Sequence, residues 1–374
     1  MNKKLLTAAI GAALAAGPML AQADVKLYGK LHVSVDYLDG KASTQPHSNK
    51  ATTVSSNASR WGIDVSEKLG GGMKAIAKLE QQINADGESN SQDTRNRYVG
   101  LSGKFGTIIA GTHDTPLKDI SRTVELFPEY VGDNRNLMSD GATNSSRGWD
   151  LRPANAIKYS TPAINGFEVS YLYSADLNTT TTAEDNRQRV DSIGVKYSKG
   201  PLYVAYAYES HRSPSSSAGG VPTSEETETG QRLGASYNFG AFKVTGLYQT
   251  VKDIGGKATA DTNALNRTSW ALGGAYTAGN NVFKLQYVRM GALNKQAATG
   301  DTSGDNTGAK MWALGWDHLF SKTVKAYVAY AKTDNDNLTA RPVNGPSGGA
   351  HSDIVSPATG ADPQAWSVGM IVDF

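Results

Sequence analysis

Four sets of residues in this 374-residue chain have types that could do chemistry. Gly345-Pro346-Ser347-Gly348-Gly349 matches the GxSxG pattern that presents a nucleophilic serine. That pattern works at a strained strand-to-helix turn, and here it falls in a long polar stretch, so no catalytic residue is assigned. The six histidines, at 32, 47, 113, 211, 318 and 351, lack metal-ligand spacing. Asp334 to Asn337 and Asp301 to Asn306 are rich in oxygen ligands but lack the spacing and closing glutamate of a calcium loop. They read as solvated loops, and no metal or cofactor is expected. The fourth set is basic: Lys30, Arg60 and Arg95, with Arg97 beside it. Arginine stays charged at any working pH. A cluster of arginines therefore needs facing carboxylates or water, and a water-filled lumen offers both. The chemistry expected of such a set is electrostatic selection of passing solutes.

The elements that position these residues alternate with a period of two. Val25, Leu27, Gly29, Leu31, Val33, Val35 and Tyr37 share one parity, and Lys26, Tyr28, Lys30, His32, Ser34 and Asp36 the other. That run is too long for an ordinary soluble strand. The pattern returns at Phe167 to Tyr173, Leu233 to Phe239, Trp312 to Trp316 and Val324 to Tyr330. On the apolar parity, Tyr37, Tyr159, Tyr197, Tyr237, Trp270, Tyr276, Tyr287, Trp316 and Tyr330 fall near strand ends. Such rings suit a membrane–water interface.

Connections alternate in length. Seven short turns lie at 69–72, 103–106, 161–166, 199–201, 240–241, 279–281 and 320–322. Eight long polar segments lie at 40–57, 85–94, 113–151, 176–188, 212–229, 253–267, 292–307 and 335–363. Within them, Ser213 to Gly220 is low in complexity and reads as an external loop. Eight long loops and seven short turns imply 16 antiparallel strands. The fold class expected is all-β: a closed 16-stranded transmembrane barrel with short periplasmic turns and long external loops. The segment 113–151 is longer than an ordinary connection and needs a functional reason. Folding into the barrel supplies one, with Leu117, Ile120, Leu126 and Phe127 packing on the wall.

The two ends set the compartment. Lys3 and Lys4 precede an apolar stretch, Leu5 to Leu20, and Ala21-Gln22-Ala23 offers a small-x-small cleavage site. Residues 1–23 are expected to be a secretory signal peptide and 24–374 the barrel domain. The mature chain then has 374 − 23 = 351 residues, with 35 basic and 35 acidic side chains, so its net charge is zero. That leaves no overall electrostatic case for nucleic acid. There is no cysteine, hence no disulfide framework or thiolate metal site. At the other end Trp366, Val368, Met370, Val372 and Phe374 alternate up to the last residue.

Over its mature length the chain resembles the general-diffusion porin family of Gram-negative bacteria. The matching motifs are Leu27-Tyr28-Gly29-Lys30, Ser59-Arg60-Trp61-Gly62, Thr94-Arg95-Asn96-Arg97-Tyr98-Val99-Gly100-Leu101, Phe127-Pro128-Glu129-Tyr130-Val131-Gly132-Asp133, and Arg152 seven residues before Tyr159. The loop motif reads PEYVGD where the family has a PEFGGD-like segment. The resemblance implies an inward-folded third loop whose acids, Glu125, Glu129 and Asp133, face a basic ladder of Lys30, Arg60, Arg95, Arg97 and Arg152. It implies a homotrimer in the outer membrane, contacting lipid and lipopolysaccharide, that passes ions and small hydrophilic solutes. It also implies that Trp366 and Phe374 belong to a terminal signal read by the barrel-assembly machinery. Counting charges by parity gives more inward basic than acidic groups, so a modest anion preference is expected. A solute-specific channel and, more remotely, an outer-membrane barrel enzyme are the alternatives.

Overall fold

The computed structural model describes residues 23–41, 50–87, 94–139, 148–175, 189–212, 227–254, 266–294, 306–344 and 357–374. The expected signal peptide up to residue 22, Ser213 to Gly220, Asp301 to Asp305 and Ser347 lie outside them.

Alternation becomes a barrel because strands adjacent in sequence pair with one another, β2 and β3 together counting as one. The strands are β1 (Asp24–Asp39), β2 (Lys50–Ser56), β3 (Arg60–Gly70), β4 (Met73–Gln82), β5 (Thr94–Gly103), β6 (Gly106–Thr112), β7 (Ala156–Ser160), β8 (Phe167–Ser174) and β9 (Arg189–Lys199). There follow β10 (Leu202–Arg212), β11 (Thr227–Phe239), β12 (Phe242–Lys252), β13 (Arg267–Ala278), β14 (Asn281–Met290), β15 (Ala309–Leu319), β16 (Val324–Asn335) and β17 (Gln364–Asp373). All form one antiparallel sheet, and β17 pairs back onto β1, with Lys30 opposite Asp373. Gly29 and Phe374 exchange backbone hydrogen bonds of 2.9 and 3.0 Å, which completes the closure. No sheet edge is left, as hydrocarbon requires.

β2 and β3 are two halves of one strand, since both pair with β1. The barrel therefore has 17 − 1 = 16 spanning strands. This corrects the reading of 40–57 as loop throughout. Lys50 to Ser56 is polar and Ser/Thr-rich, so it carries little apolar alternation, yet its β-branched residues suit a ladder. The halves are separated at Asn57-Ala58-Ser59, where Ala58 has φ +50°. Ser59 bridges the gap: its hydroxyl accepts from the His32 amide (3.0 Å) and donates to the His32 carbonyl (3.1 Å).

The apolar parity faces outward: Val25 and Leu27 are 60% and 61% exposed. Aromatic rings band this surface from β7 to β17, with Tyr159, Phe167, Tyr237, Phe242, Tyr276 and Trp316 near the short-turn end. No helix among the described residues is long and apolar enough to cross a membrane. The seven short turns fall where the sequence places them, all at one end of the barrel.

The buried apolar core lies inside the barrel, under the third loop. That loop carries α1 (Pro116–Val124) and the single turn α2 (Arg135–Met138). Thr115 caps α1 by accepting from the Lys118 amide at 3.2 Å, and Pro116 occupies the first turn, where its missing N–H costs nothing. Leu117, Ile120, Leu126 and Phe127 are buried against the wall, as expected. The wall makes room with small inward residues. A Cβ on Gly234 would lie 2.3 Å from Ile120, and one on Gly273 or Gly315 would lie 2.7 Å from Leu126 or Phe127.

Candidate functional site: the lumen between loop and wall

Register decides which side chains reach the lumen. Lys30 and Arg60 are directly opposed on β1 and β3, on the inward parity. The β2–β3 break also holds Arg60, whose Nη1 donates to the Ala58 carbonyl at 3.0 Å. On β5 a register shift between Leu79 and Gln81 inserts an extra residue opposite β4. Such a bulge changes the facing of everything beyond it. Arg95 consequently points inward and donates to Glu80 at 2.5 Å. Arg97 stands opposite Leu79, on the face of Val99 and Leu101, and its guanidinium bonds Gln81. This corrects the placement of Arg97 in the ladder: the motif's two arginines share a parity in sequence, and the bulge separates them.

The third loop meets this wall at Glu129. Lys30 Nζ lies 2.6 Å from one of its oxygens, and Arg60 Nη1 and Arg122 Nη2 lie 2.9 and 2.7 Å from the other. Burial alone would raise the Glu129 carboxyl, but these three cations hold it well below the usual range. Glu129 adopts φ +69°, a left-handed conformation that is costly for a residue with a side chain. Its own amide donates to Asp133 at 2.9 Å, which fixes the turn.

Glu125 and Asp133 do not face the ladder, which corrects that expectation. The two Glu125 oxygens accept from the amides of Phe127 (2.6 Å) and Asn134 (2.9 Å). Asp133 is taken up by Arg135 at 2.5 Å. Both carboxylates are buried within the loop and hold its shape. Desolvation, and then the nearby Asp133, push the Glu125 carboxyl up to about 7.

Arg152 reaches the lumen from the end of the loop, with Nε 2.9 Å from Asp114. Lys118 meets the same carboxylate at 3.0 Å. Asp114 is held far below its ordinary value because Lys118 and Arg152 outweigh the cost of burial. Asp114, Lys118 and Arg122 are site residues that sequence reasoning missed. Only their four-residue spacing, from the residue before the α1 cap into the helix, hinted at a shared face. A second missed group anchors the loop. Arg232 on β11 is fully buried, with Nη1 2.7 Å from Asp150 and 3.1 Å from the Leu117 carbonyl, and Nε 2.9 Å from Gln249.

The terminal residues Trp366 and Phe374 both face outward, at 52% and 58% exposure. The Phe374 ring covers Gly29, where a Cβ would come within 2.1 Å of it.

A closed, lipid-facing barrel with a charged lumen narrowed from within by one loop defines a transmembrane channel for small hydrophilic solutes. The Gram-negative porin family matches residues 6–338, and the chain belongs to that family. It is an outer-membrane, multi-pass β-barrel porin. It is 30% identical over 337 residues to outer membrane porin protein 32 of Delftia acidovorans, covering 87% of this chain and 88% of that one. It is 28% identical over 343 residues to the major outer membrane protein P.IB of Neisseria sicca, covering 86% and 91%. Among solved structures, an anion-selective porin from Comamonas acidovorans superposes with a TM-score of 0.73 at 26% identity, covering 94% of this chain and all of that one.

Proposed function

We propose that this porin is a homotrimer of separate pores, each with a modest preference for anions, set between the third loop and the inward faces of β1–β7. One observation carries the selectivity. The connected lumen groups are Lys30, Arg60, Arg95, Lys118, Arg122 and Arg152 against Glu80, Asp114 and Glu129, six cations to three carboxylates. Lys78 with Asp64 and Lys158 with Asp119 add balanced pairs. A narrow passage with low-dielectric walls focuses such an excess and enriches the counter-ion. Salt weakens the effect, because the Debye length is ~8 Å at physiological ionic strength. The solved neighbour described as anion-selective supports the same sign.

The trimer reading has its own support. The outward faces of β4 to β6 show aliphatic residues such as Leu79, Val99, Leu101 and Ile108, with Phe105 in the β5–β6 turn in place of the aromatic bands of β7 to β17. Rings belong at lipid interfaces, so the sector poorest in them is the face a neighbouring copy covers. A solved outer membrane protein of Vibrio cholerae, alike in fold, is described in a trimer form. Trp366 and Phe374 are outward on the closing strand, where assembly machinery can read them. Deleting Phe374 is expected to lower outer-membrane yield while refolded protein still conducts, and normal surface levels would refute that role.

The test of the main reading is planar-bilayer recording in a salt gradient. The reversal potential is expected on the anion side and should grow as salt falls. The same unheated preparation should migrate as a trimer. A cation-side potential at low salt overturns the selectivity. Saturable block by one solute would establish the solute-specific alternative instead.

A further inference from the structure

A cavity of about 460 Å³ opens between α1 and the inward faces of β7 to β10. It flanks the passage along β1–β7. It lies at the short-turn end, since Ser160, Glu168, Ser198 and Tyr203 stand within two residues of the turns at 161–166 and 199–201. Its charges are already matched. Arg122 turns to Glu129, Lys158 Nζ lies 2.7 Å from Asp119, and Lys196 Nζ lies 3.0 Å from its register partner Glu168. What remains is hydroxyl. Ser160 and Ser170 are register partners on β7 and β8, and Ser198 pairs with Tyr203 across β9 and β10. Among the described residues these three serine side chains have no hydrogen-bond partner. Tyr203 packs against the apolar core beneath α1 and also lines the cavity.

We propose that this cavity is a binding site for an uncharged, polyhydroxylated solute, a mono- or disaccharide, at the short-turn mouth of the pore. The proposal deepens the porin reading and rests on it for the site's place, which becomes the periplasmic mouth. A hydroxyl both donates and accepts, so each serine can meet a sugar hydroxyl in either sense. The Lys196–Glu168 pair offers both senses at fixed positions. The ammonium keeps N–H groups beyond the one aimed at Glu168, and the carboxylate keeps a second oxygen. Side by side they suit two neighbouring hydroxyls of one ring. Tyr203 supplies an apolar face for the C–H side of that ring. A few convergent polar groups beside an aromatic one make up a small-molecule site, and the volume falls in the range of such sites. A small anion fits less well, because Glu168 and Asp119 both line the cavity, and a cation meets Arg122 and Lys196 in the same way.

The test uses the refolded full chain in detergent and reads binding by saturation-transfer NMR, with D-glucose and sucrose as probes. Wild type is expected to give a saturable signal for the sugars. Tyr203→Ala should weaken binding at least about tenfold, and so, separately, should the Ser160→Ala, Ser170→Ala double variant, which removes two hydrogen bonds. Tyr203→Phe keeps the ring and should bind as wild type does, which separates a lost site from a lost fold. Succinate should not displace the sugars. No saturable signal in wild type overturns the proposal, and so do equal affinities in wild type and both weakened variants. Displacement by succinate at the concentrations that the sugars need also overturns it, and makes the cavity an anion site. The same preparation is recorded in a planar bilayer. A conducting protein that binds no sugar counts against this site alone, whereas a protein that does not conduct counts against the porin reading.

Discussion

The inward faces of β9–β17 and of β1–β5 follow the same alternation in one continuous sheet, yet small residues recur on the first, between buried charged anchors such as Arg232 and Lys284, where long charged side chains recur on the second. From β9 to β16 the inward positions include Gly194, Ala205, Ala207, Gly234, Ala271, Gly273, Ala313, Gly315, Ala329 and Ala331. From β1 to β5 they include Lys30, Arg60, Lys78, Glu80 and Arg95. The first face is small because the third loop lies on it, and the apolar side of α1 needs the space that a Cβ would take. The second is long and charged because water lies on it. A lumen wall is therefore specified by its occupant. Removing a group should cost stability where the loop sits and selectivity where water sits.

The largest effect is expected at the loop's anchor. Arg232 is buried with Asp150, and removing one partner of such a pair leaves an uncompensated charge, at a cost of about 3–5 kcal/mol. Arg232 also holds the Leu117 and Met138 carbonyls, at both helices of the loop. Arg232→Ala is expected to release the loop and leave the barrel closed. Single-channel conductance and current noise should rise, and the loop should become sensitive to protease, while strand content by circular dichroism stays the same. A variant with wild-type conductance and protease resistance would show that apolar packing alone holds the loop.

On the charged wall the same kind of substitution should act differently. Arg60, Arg95 and Arg152 each keep a tenth to a fifth of the side chain exposed, and when they are removed Lys30 and Arg122 still hold Glu129 and Lys118 still holds Asp114. Changing all three to Gln should lower thermal stability less than Arg232→Ala does, since two of the three carboxylates keep a cation. It takes the lumen balance from six cations and three carboxylates to three of each, so the reversal potential should move toward cations. An unchanged potential would mean that this ladder does not line the narrowest part of the pore.

The comparison also explains what was legible in the sequence. Outward parity, the short turns and closure at Phe374 follow from period-two alternation, which lipid on one side and water or loop on the other enforce. Lys30, Arg60 and Arg95 were readable because charge on the inward parity of a strand has one destination. Arg97 was misplaced because a bulge reverses facing without any marker in composition. Lys50 to Ser56 was missed because a strand without apolar alternation resembles a loop. Glu125 and Asp133 read as lumen acids because the sequence does not show which backbone amides turn back onto a carboxylate. The docking of the loop did leave a signal, in the small residues on one parity of β9 to β16. Ala and Gly on the inner face of strand after strand say that something packs there.

The smallest effect separates two glutamates four residues apart on the same loop. Glu129→Gln removes one of the three lumen carboxylates and should strengthen the anion preference. Glu125→Gln should leave the reversal potential unchanged, since Glu125 accepts loop amides out of the ion path. Its signature lies in pH instead. Its carboxyl titrates near 4.5 when solvated and near 7 in the docked loop, where burial and Asp133 disfavour the charge. A raised carboxyl binds its proton more tightly in the docked state. Docking is therefore unpenalised below about pH 4.5 and grows steadily less stable as pH rises through about 7. Glu129 and Asp133 are held below their ordinary values and stay ionised over this range, and Lys118, lowered to about 8 by burial, remains mostly protonated until its upper end. Between pH 5 and 7.5, current noise from loop motion should increase in the wild type and stay flat in Glu125→Gln. Noise that rises equally in both would place the titrating group elsewhere. A change of reversal potential in Glu125→Gln would return that carboxylate to the lumen wall.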